Sequence, residues 1–475
     1  MPSPNIAKTP AKTPVTASAN APLKIPKTAS TAPSSSAVPS SRLGRLFRLG
    51  GMASGVAGNM LMAGAKQLAQ GKRPKISDLL LTPANMQRVT QQLSQMRGAA
   101  MKLGQLISMD TGDLLPPEMA AILARLRSDA HAMPQRQLQA VLTGNWGTKW
   151  QTRFESFSFT PLAAASIGQV HRATTLDGRD LAIKIQYPGV RKSISSDVDN
   201  VASLLRLSGL LPKTLDIAPL LREAKRQLRE EADYEAEAAH LQRFGELLAG
   251  SPEFVVPQLH ADLTTKNVLA MSYVAGVPVE SMANAPQHER DRLLSQLVGL
   301  VFRELFEFGL MQTDPNFANY RYDEQTQQII LLDFGATRRF APAFRQAYKQ
   351  LMLAAIADDR AAMTEAAVAI GYFDAATQLR HQNAVLDMFE MALEPLTTTQ
   401  TAQPFDFADN DMAARLREAG MALGLDKDFW HIPPIDTLFL HRKLGGLYLL
   451  AARLKARVNV HQLAMPYLKT TKLDK

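Results

Sequence analysis

The sequence predicts an α+β fold of two lobes, one small and rich in strands, one larger and helical, preceded by a helical extension. Two observations carry this. Residues 152–190 alternate apolar and polar side chains with the period of strands, around an "LDG" turn. On either side, apolar residues recur at helical spacing, in "MQRVTQQLSQMRGAAMKLGQLISM" before and "ERDRLLSQLVGLVFRELFEFGLM" after.

Bulk properties narrow the function classes. The 475 residues suffice for two to four domains, and 46% apolar with 20% charged residues fits a globular chain with a substantial core. The absence of cysteine excludes disulfides, cysteine-bound zinc and thiol nucleophiles, and leaves the compartment open. Net charge is +9, but eleven Lys and Arg precede the first acidic residue, Asp78, and the remainder carries −2. The basic excess is therefore a property of the N-terminus, and no nucleic-acid partner is implied.

Residues 1–41 are rich in Pro, Ser, Thr and Ala and predict a disordered basic tail. The lack of Arg before Arg42 and the many prolines favour a flexible tail over an organelle leader. Residues 42–76 form a Gly/Ala-rich basic segment whose uncharged run, Leu49 to Ala65, is shorter than the roughly 20 residues that span a bilayer. Two readings of it stay open. It is either a linker or an element that lies on an anionic membrane surface and pairs with a second copy through Gly51 and Gly55, giving a homodimer. Downstream apolar runs near 293–311 and 437–453 are broken by Arg303, Glu304 and Glu307, and by His441, Arg442 and Lys443. Residues 77–150 follow as the helical extension, carrying "KLGQ", Lys102 to Gln105, on an amphipathic helix.

The small lobe, 151–275, contains the residue types of a nucleotide site. A strand leads into a small-residue loop, Ala163, Ala164, Ala165 and Ser166, then a hairpin, then "LAIKIQ", which points Lys184 away from Leu181, Ile183 and Ile185. A helix expected to run unbroken through "DIAPLLREAKRQLREEADYEAEAAHLQRFGELLAG" carries Glu231, Asp233 and Glu237. At about 100° per residue, Glu231 lies roughly 120° from Glu237, so one straight helix cannot aim both at one ligand. The simplest division gives Glu237 to Lys184 and Glu231 to another cation. Gly276 reads as a hinge to the larger lobe, 276–470. There "QTDPNFANYRY" places Asp314 and Asn319 five apart, and Asp333 opens a DFG triplet fourteen residues after Asn319. That is the order of a kinase catalytic loop and metal-binding triplet, with hard oxygen donors suited to Mg²⁺. A lone DFG is a weak signal; loop, lysine strand, helix glutamate, hinge, D-x4-N and DFG in order predict a bilobal protein-kinase-like fold.

From about Gln87 to Tyr467 the chain resembles the UbiB-type atypical kinases, which support ubiquinone biosynthesis, and among them the mitochondrial-type branch. The resemblance rests on "KLGQ" (102–105), "AAAS" (163–166), "AIKIQYPGV" (182–190), "EADYEAEA" (231–238), "QTDPNFAN" (312–319), "LLDFGATR" (331–338) and "LHRKLGG" near the C-terminus. It implies ATP/ADP and Mg²⁺ as cofactors. Lys184 would hold phosphates and pair with Glu237, Asp333 and Asn319 would bind Mg²⁺, and Asp314 would be the catalytic-loop carboxylate. Lys102 would face Glu231 from an extension that, with Gln105, packs where protein kinases dock peptides. The resemblance further implies quinone-pathway lipids and biosynthetic enzymes as partners, and a site peripheral to a bacterial inner membrane or within mitochondria. Gln312-Thr313 replaces the usual His-Arg pair and no A-P-E segment follows, so ordinary protein phosphorylation is disfavoured. A Mg²⁺-dependent ATPase or small-molecule kinase is the first reading, and a non-catalytic scaffold or lipid-handling chaperone the second. Alanines resist the left-handed angles glycines allow, so the AAAS loop is expected to be more helical and less pliable than a glycine loop.

Overall fold

The computed structural model describes residues 90, 93–94, 96–110, 122, 132–207, 217–374, 376–398, 403–426 and 433–469. The tail expected over 1–41 and the segment 42–76 lie outside them. Among the described residues no helix is long and apolar enough to cross a membrane.

The small lobe is a sheet in the order β1 (Phe154–Phe157), β3 (Gly168–Thr175), β4 (Asp180–Gln186), β6 (Val268–Ser272), with the short β2 (Ala163–Ala164) paired to β3. All of these pairings are antiparallel. The alternation of β4 does what its sequence asks: Leu181, Ile183 and Ile185 are fully buried on one face. They pack with Val268 and Ala270 and with a helix, α2 (Gln135–Trp146), that contributes Leu138, Leu142 and Trp146. Trp146 Nε1 donates to Leu263 O at 2.8 Å, which ties this helix to the loop before β6.

The extension helix α1 (Arg97–Asp110) packs elsewhere. Its Ala99, Ala100, Leu103 and Leu106 belong to the larger core, with α3 (Val190–Leu207) and α4 (Ala218–Glu231). The expected single helix through residue 247 is in fact two, α4 and α5 (Tyr234–Leu247). The break falls at Ala232–Asp233, where the Asp233 side chain accepts from Ala236 N at 3.3 Å and caps α5. A straight-helix wheel therefore misjudges how Glu231 and Glu237 relate.

Two further expectations change. "FVVPQL" yields only β5 (Phe254–Val255), which pairs in parallel with β10 (Gln328–Leu331) in a second sheet, ordered β5-β10-β9-β7 with β9 (Tyr320–Asp323) and β7 (Val277–Pro278). The AAAS loop is not helical: Ala163 and Ala164 are extended against Val170 and Gln169, and none of the four has positive φ. Alanine avoids the left-handed region by adopting strand geometry rather than helix.

The larger lobe is helical. α6 (Gln287–Phe302) continues into a π-helical turn, Arg303–Phe308, that ends in a left-handed Gly309. β8 (Leu310–Gln312) then delivers the catalytic-loop segment and pairs with β11 (Thr337–Arg339). Helices α7 (Pro342–Ile356), α8 (Arg360–Ile370), α9 (Leu379–Thr397), α10 (Met412–Leu425), α11 (Ile435–Leu454) and α12 (Val460–Lys469) complete it, with β12 (Phe405–Asp406) and β13 (Arg457–Val458) as a small ribbon.

Candidate active site

Lys184 is the centre of the site. On its strand it points to the face opposite Leu181, Ile183 and Ile185, yet it is only 8% exposed because α5 covers it. Its Nζ donates to Glu237 Oε1 and Oε2 at 2.7 and 3.0 Å and to Asp333 Oδ2 at 3.0 Å. Burial opposes its charge, but the Asp333 and Glu237 carboxylates overcome that and hold the amine well above the ordinary lysine range. Burial likewise pushes Asp333 up, and Lys184 with the Gly335 amide pulls it below the usual carboxylate range. The result is a lysine held charged between a helix carboxylate and the DFG aspartate.

Asp314 and Asn319 face one another: Asn319 Nδ2 donates to Asp314 Oδ2 at 2.9 Å. Leu332 N donates to Asn319 O at 3.0 Å, so the residue before Asp333 is anchored to the asparagine. This orientation spends the Asn319 amide nitrogen on Asp314 and leaves its carbonyl oxygen for a metal. With Asp333 it makes a pair of hard oxygen donors, which fits Mg²⁺ because that ion keeps several waters and phosphate oxygens in its shell. No group of three or more His, Cys, Asp or Glu that could hold a metal ion occurs among the described residues.

Lys102 and Glu231 form the second ion pair of the site, with side chains 6% and 18% exposed. Ser166 Oγ donates to the other oxygen of Glu231 at 2.5 Å. Helix α1, the small-residue loop and the end of α4 are thus clasped on one carboxylate. The approach is close: a β-carbon on Gly98 would stand 2.6 Å from Ser166 O. Ala163, Ala164 and Ala165 form the hairpin above, with Ala165 N donating to Gly168 O at 2.9 Å. Gln105 lies on α1, and its side chain is outside the described residues.

Sequence reasoning missed a buried network beneath the catalytic loop. Lys443 Nζ lies 3.4 Å from Glu304 Oε2 and donates to Gln312 Oε1 at 3.1 Å and Tyr320 OH at 2.7 Å. Glu304 Oε1 accepts from Gln312 N at 3.1 Å. The signal was present: Glu304 and Lys443 are among the charges that interrupt otherwise apolar helices. Such charges in buried helices need partners, and here the partners hold Gln312, two residues before Asp314.

Comparison with known proteins gives the chain a family. A family described as the ABC1 atypical kinase-like domain matches residues 125–367. The mitochondrial atypical kinase COQ8 of Saccharomyces cerevisiae is 39% identical over 429 residues, covering 90% of this chain and 85% of its own. The mitochondrial atypical kinase COQ8B of Rattus norvegicus is 37% identical over 423 residues, covering 89% and 79%. Among solved structures, the complex of Rv3197 with erythromycin from Mycobacterium tuberculosis aligns with a TM-score of 0.56 at 25% identity, over 79% of this chain and 93% of that one.

Proposed function

The chain belongs to the ABC1 atypical kinase-like family, and from that premise we propose that it is a Mg²⁺-dependent ATPase or small-molecule kinase serving ubiquinone biosynthesis at a membrane surface. The observation that carries the reading is Lys184 held between Glu237 and Asp333. A lysine so fixed presents a localised positive charge to phosphate oxygens without first having to order itself. Asp333 and the Asn319 carbonyl would hold Mg²⁺, which supplies charge neutralisation on the phosphates when bound. Asp314, oriented by the Asn319 amide, would accept the proton of an attacking hydroxyl or water. Attachment to the membrane would come from residues 42–76.

The reading as an enzyme is favoured over a non-catalytic scaffold because scaffolding does not require Lys184, Asp314, Asn319 and Asp333 together. ATP turnover by the purified full chain, with and without anionic liposomes, tests it. Asp333→Asn is expected to lower turnover by at least about a hundredfold, since it removes the charged metal donor and a partner of Lys184. Turnover untouched by that substitution would overturn the enzymatic reading and favour the scaffold. Stimulation by liposomes supports membrane attachment; indifference to them removes it.

A further inference from the structure

Among the described residues, Arg442, on α11, is a buried cation without a contacting anion. It is 8% exposed, and its Nη1 donates to the neutral Gln227 Oε1 at 3.2 Å. Its Nε is buried and has no partner among the described residues. The cations around it are matched: Lys102 meets Glu231, Arg226 meets Glu223 and Glu230, and Arg338 meets Asp436. Phe439 gives Arg442 a weak cation–π contact at 5.7 Å, and its ring also serves Arg338 at 3.9 Å. Asp314, Glu223 and Glu231 attract the guanidinium through space, with Arg226 opposing, and none of these carboxylates touches it. Burial outweighs that attraction and leaves the group below the ordinary arginine range.

The place where this happens is a narrow cleft. Arg442 lines it with Lys102, Gln227, Thr313, Arg338 and Phe439, and with Glu230 and Glu231, whose carboxylates are already paired with Arg226 and Lys102, so it opens beside the residue that precedes Asp314. We propose that the cleft receives the oxyanion of a small acceptor molecule, a carboxylate or a phosphate, held by the Arg442 guanidinium. A planar fork with donors to spare matches those groups in two-point geometry, and a buried charge with a neutral partner gains most from such a ligand. This rests on the reading of Asp314 as the acceptor-side carboxylate, and it adds what class of molecule is brought there.

Calorimetric titration of the full chain with sodium acetate and with sodium phosphate, at constant ionic strength and with and without ADP and Mg²⁺, tests it. Binding of acetate alone assigns a carboxylate ligand, and binding of phosphate alone or of both assigns a phosphate-tolerant site. Arg442→Met is expected to weaken the bound probe by at least about tenfold, and Arg442→Lys, which keeps charge but loses the fork, by less. ADP affinity should stay as in the wild type in both variants. The melting temperature of Arg442→Met should equal or exceed that of the wild type, because an under-compensated buried charge has been removed. If that variant does not fold, the wild-type titrations and Arg442→Lys still decide. The proposal is overturned if neither probe binds, or if Arg442→Met leaves binding unchanged. It is also overturned if Asp333→Asn abolishes phosphate binding that Arg442→Met retains, since the anion then sits with the nucleotide. ADP titration of the wild type and Asp333→Asn judges the nucleotide reading separately.

Discussion

Gly446 of α11 lies against Pro315 of the catalytic loop so closely that a β-carbon there would stand 2.3 Å from Pro315 Cβ and 3.3 Å from its carbonyl oxygen. Three residues earlier on the same helix, Lys443 reaches Gln312. One helix face thus sets the catalytic loop on both sides of Asp314, by contact at one end and by an ion network at the other.

Gly446→Ala is therefore expected to displace the loop. Overpacking of this kind costs about 1–3 kcal/mol, and turnover should suffer more than stability because Asp314 moves with Pro315. Gly445 provides the control, since nothing among the described residues stands within 4 Å of its β-position. Gly445→Ala should stabilise α11 by up to about 1 kcal/mol. Urea unfolding and ATP turnover of the two variants, measured together, separate these outcomes. Equal loss of turnover in both would remove the contact argument.

The Glu304–Lys443 pair predicts a pH dependence with a definite sign. Burial raises the Glu304 carboxyl above its ordinary value, and the nearby Lys443 ammonium only partly offsets this. Lys443→Met removes the offset and leaves a buried carboxylate uncompensated, at a cost of roughly 3–5 kcal/mol. A carboxyl raised in the folded state binds protons there more readily than in the unfolded chain. Its contribution to stability is thus present at low pH and lost as pH rises through the raised value. The deficit of Lys443→Met relative to wild type should accordingly be larger at about pH 8 than at about pH 5. Lys443→Met combined with Glu304→Gln should flatten that difference. Denaturation midpoints at the two pH values check it, and a deficit that grows on acidification contradicts the assignment.

How much of this was legible in the sequence depended on whether the interaction was local or came from a distant element. Period-two alternation located β4 and the side of it that carries Lys184, because a strand's faces are set by its own residues. The D-x4-N spacing and DFG likewise located the loop, since those residues are near neighbours in the chain. The α4–α5 break was readable in principle from Asp233, a good cap, but the helical periodicity on both sides masked it. The strand form of the alanines was missed because alanine alone favours helix, whereas pairing with Val170 and Gln169 decides the matter. Gly446 and Lys443 were out of reach for another reason: their partners, Pro315 and Gln312, lie more than a hundred residues away.

The alanine hairpin makes its own prediction. Ala163 and Ala164 are exposed, extended and without packing beneath a side chain, so they restrain the backbone chiefly by excluding other conformations. Ala163→Gly should cost the strand about 0.5–1 kcal/mol of local order with little effect on the whole fold. ATP affinity should shift by a few fold, the amount that such an energy commands. Nucleotide titration alongside thermal melting tests this. Unchanged affinity and turnover would mean that the loop's backbone is not restrained by its alanines.

The last prediction concerns the clasp on Glu231. Glu231→Gln leaves Lys102, with a side chain 6% exposed, without its carboxylate, and should destabilise α1 by about 2–3 kcal/mol, less than a fully buried pair because Glu231 is partly open. Ser166→Ala removes only the hydroxyl donor and should cost about 0.5–1.5 kcal/mol. Because the same carboxylate holds α1 and the loop, both substitutions should speed amide exchange in residues 97–106 and in 163–168 together, in that rank order. ADP affinity should fall in the same order if the clasp orders the loop over the nucleotide. Faster exchange in α1 with the loop unaffected would show instead that Ser166 is held by its hairpin, and that Gly98 merely rests against it.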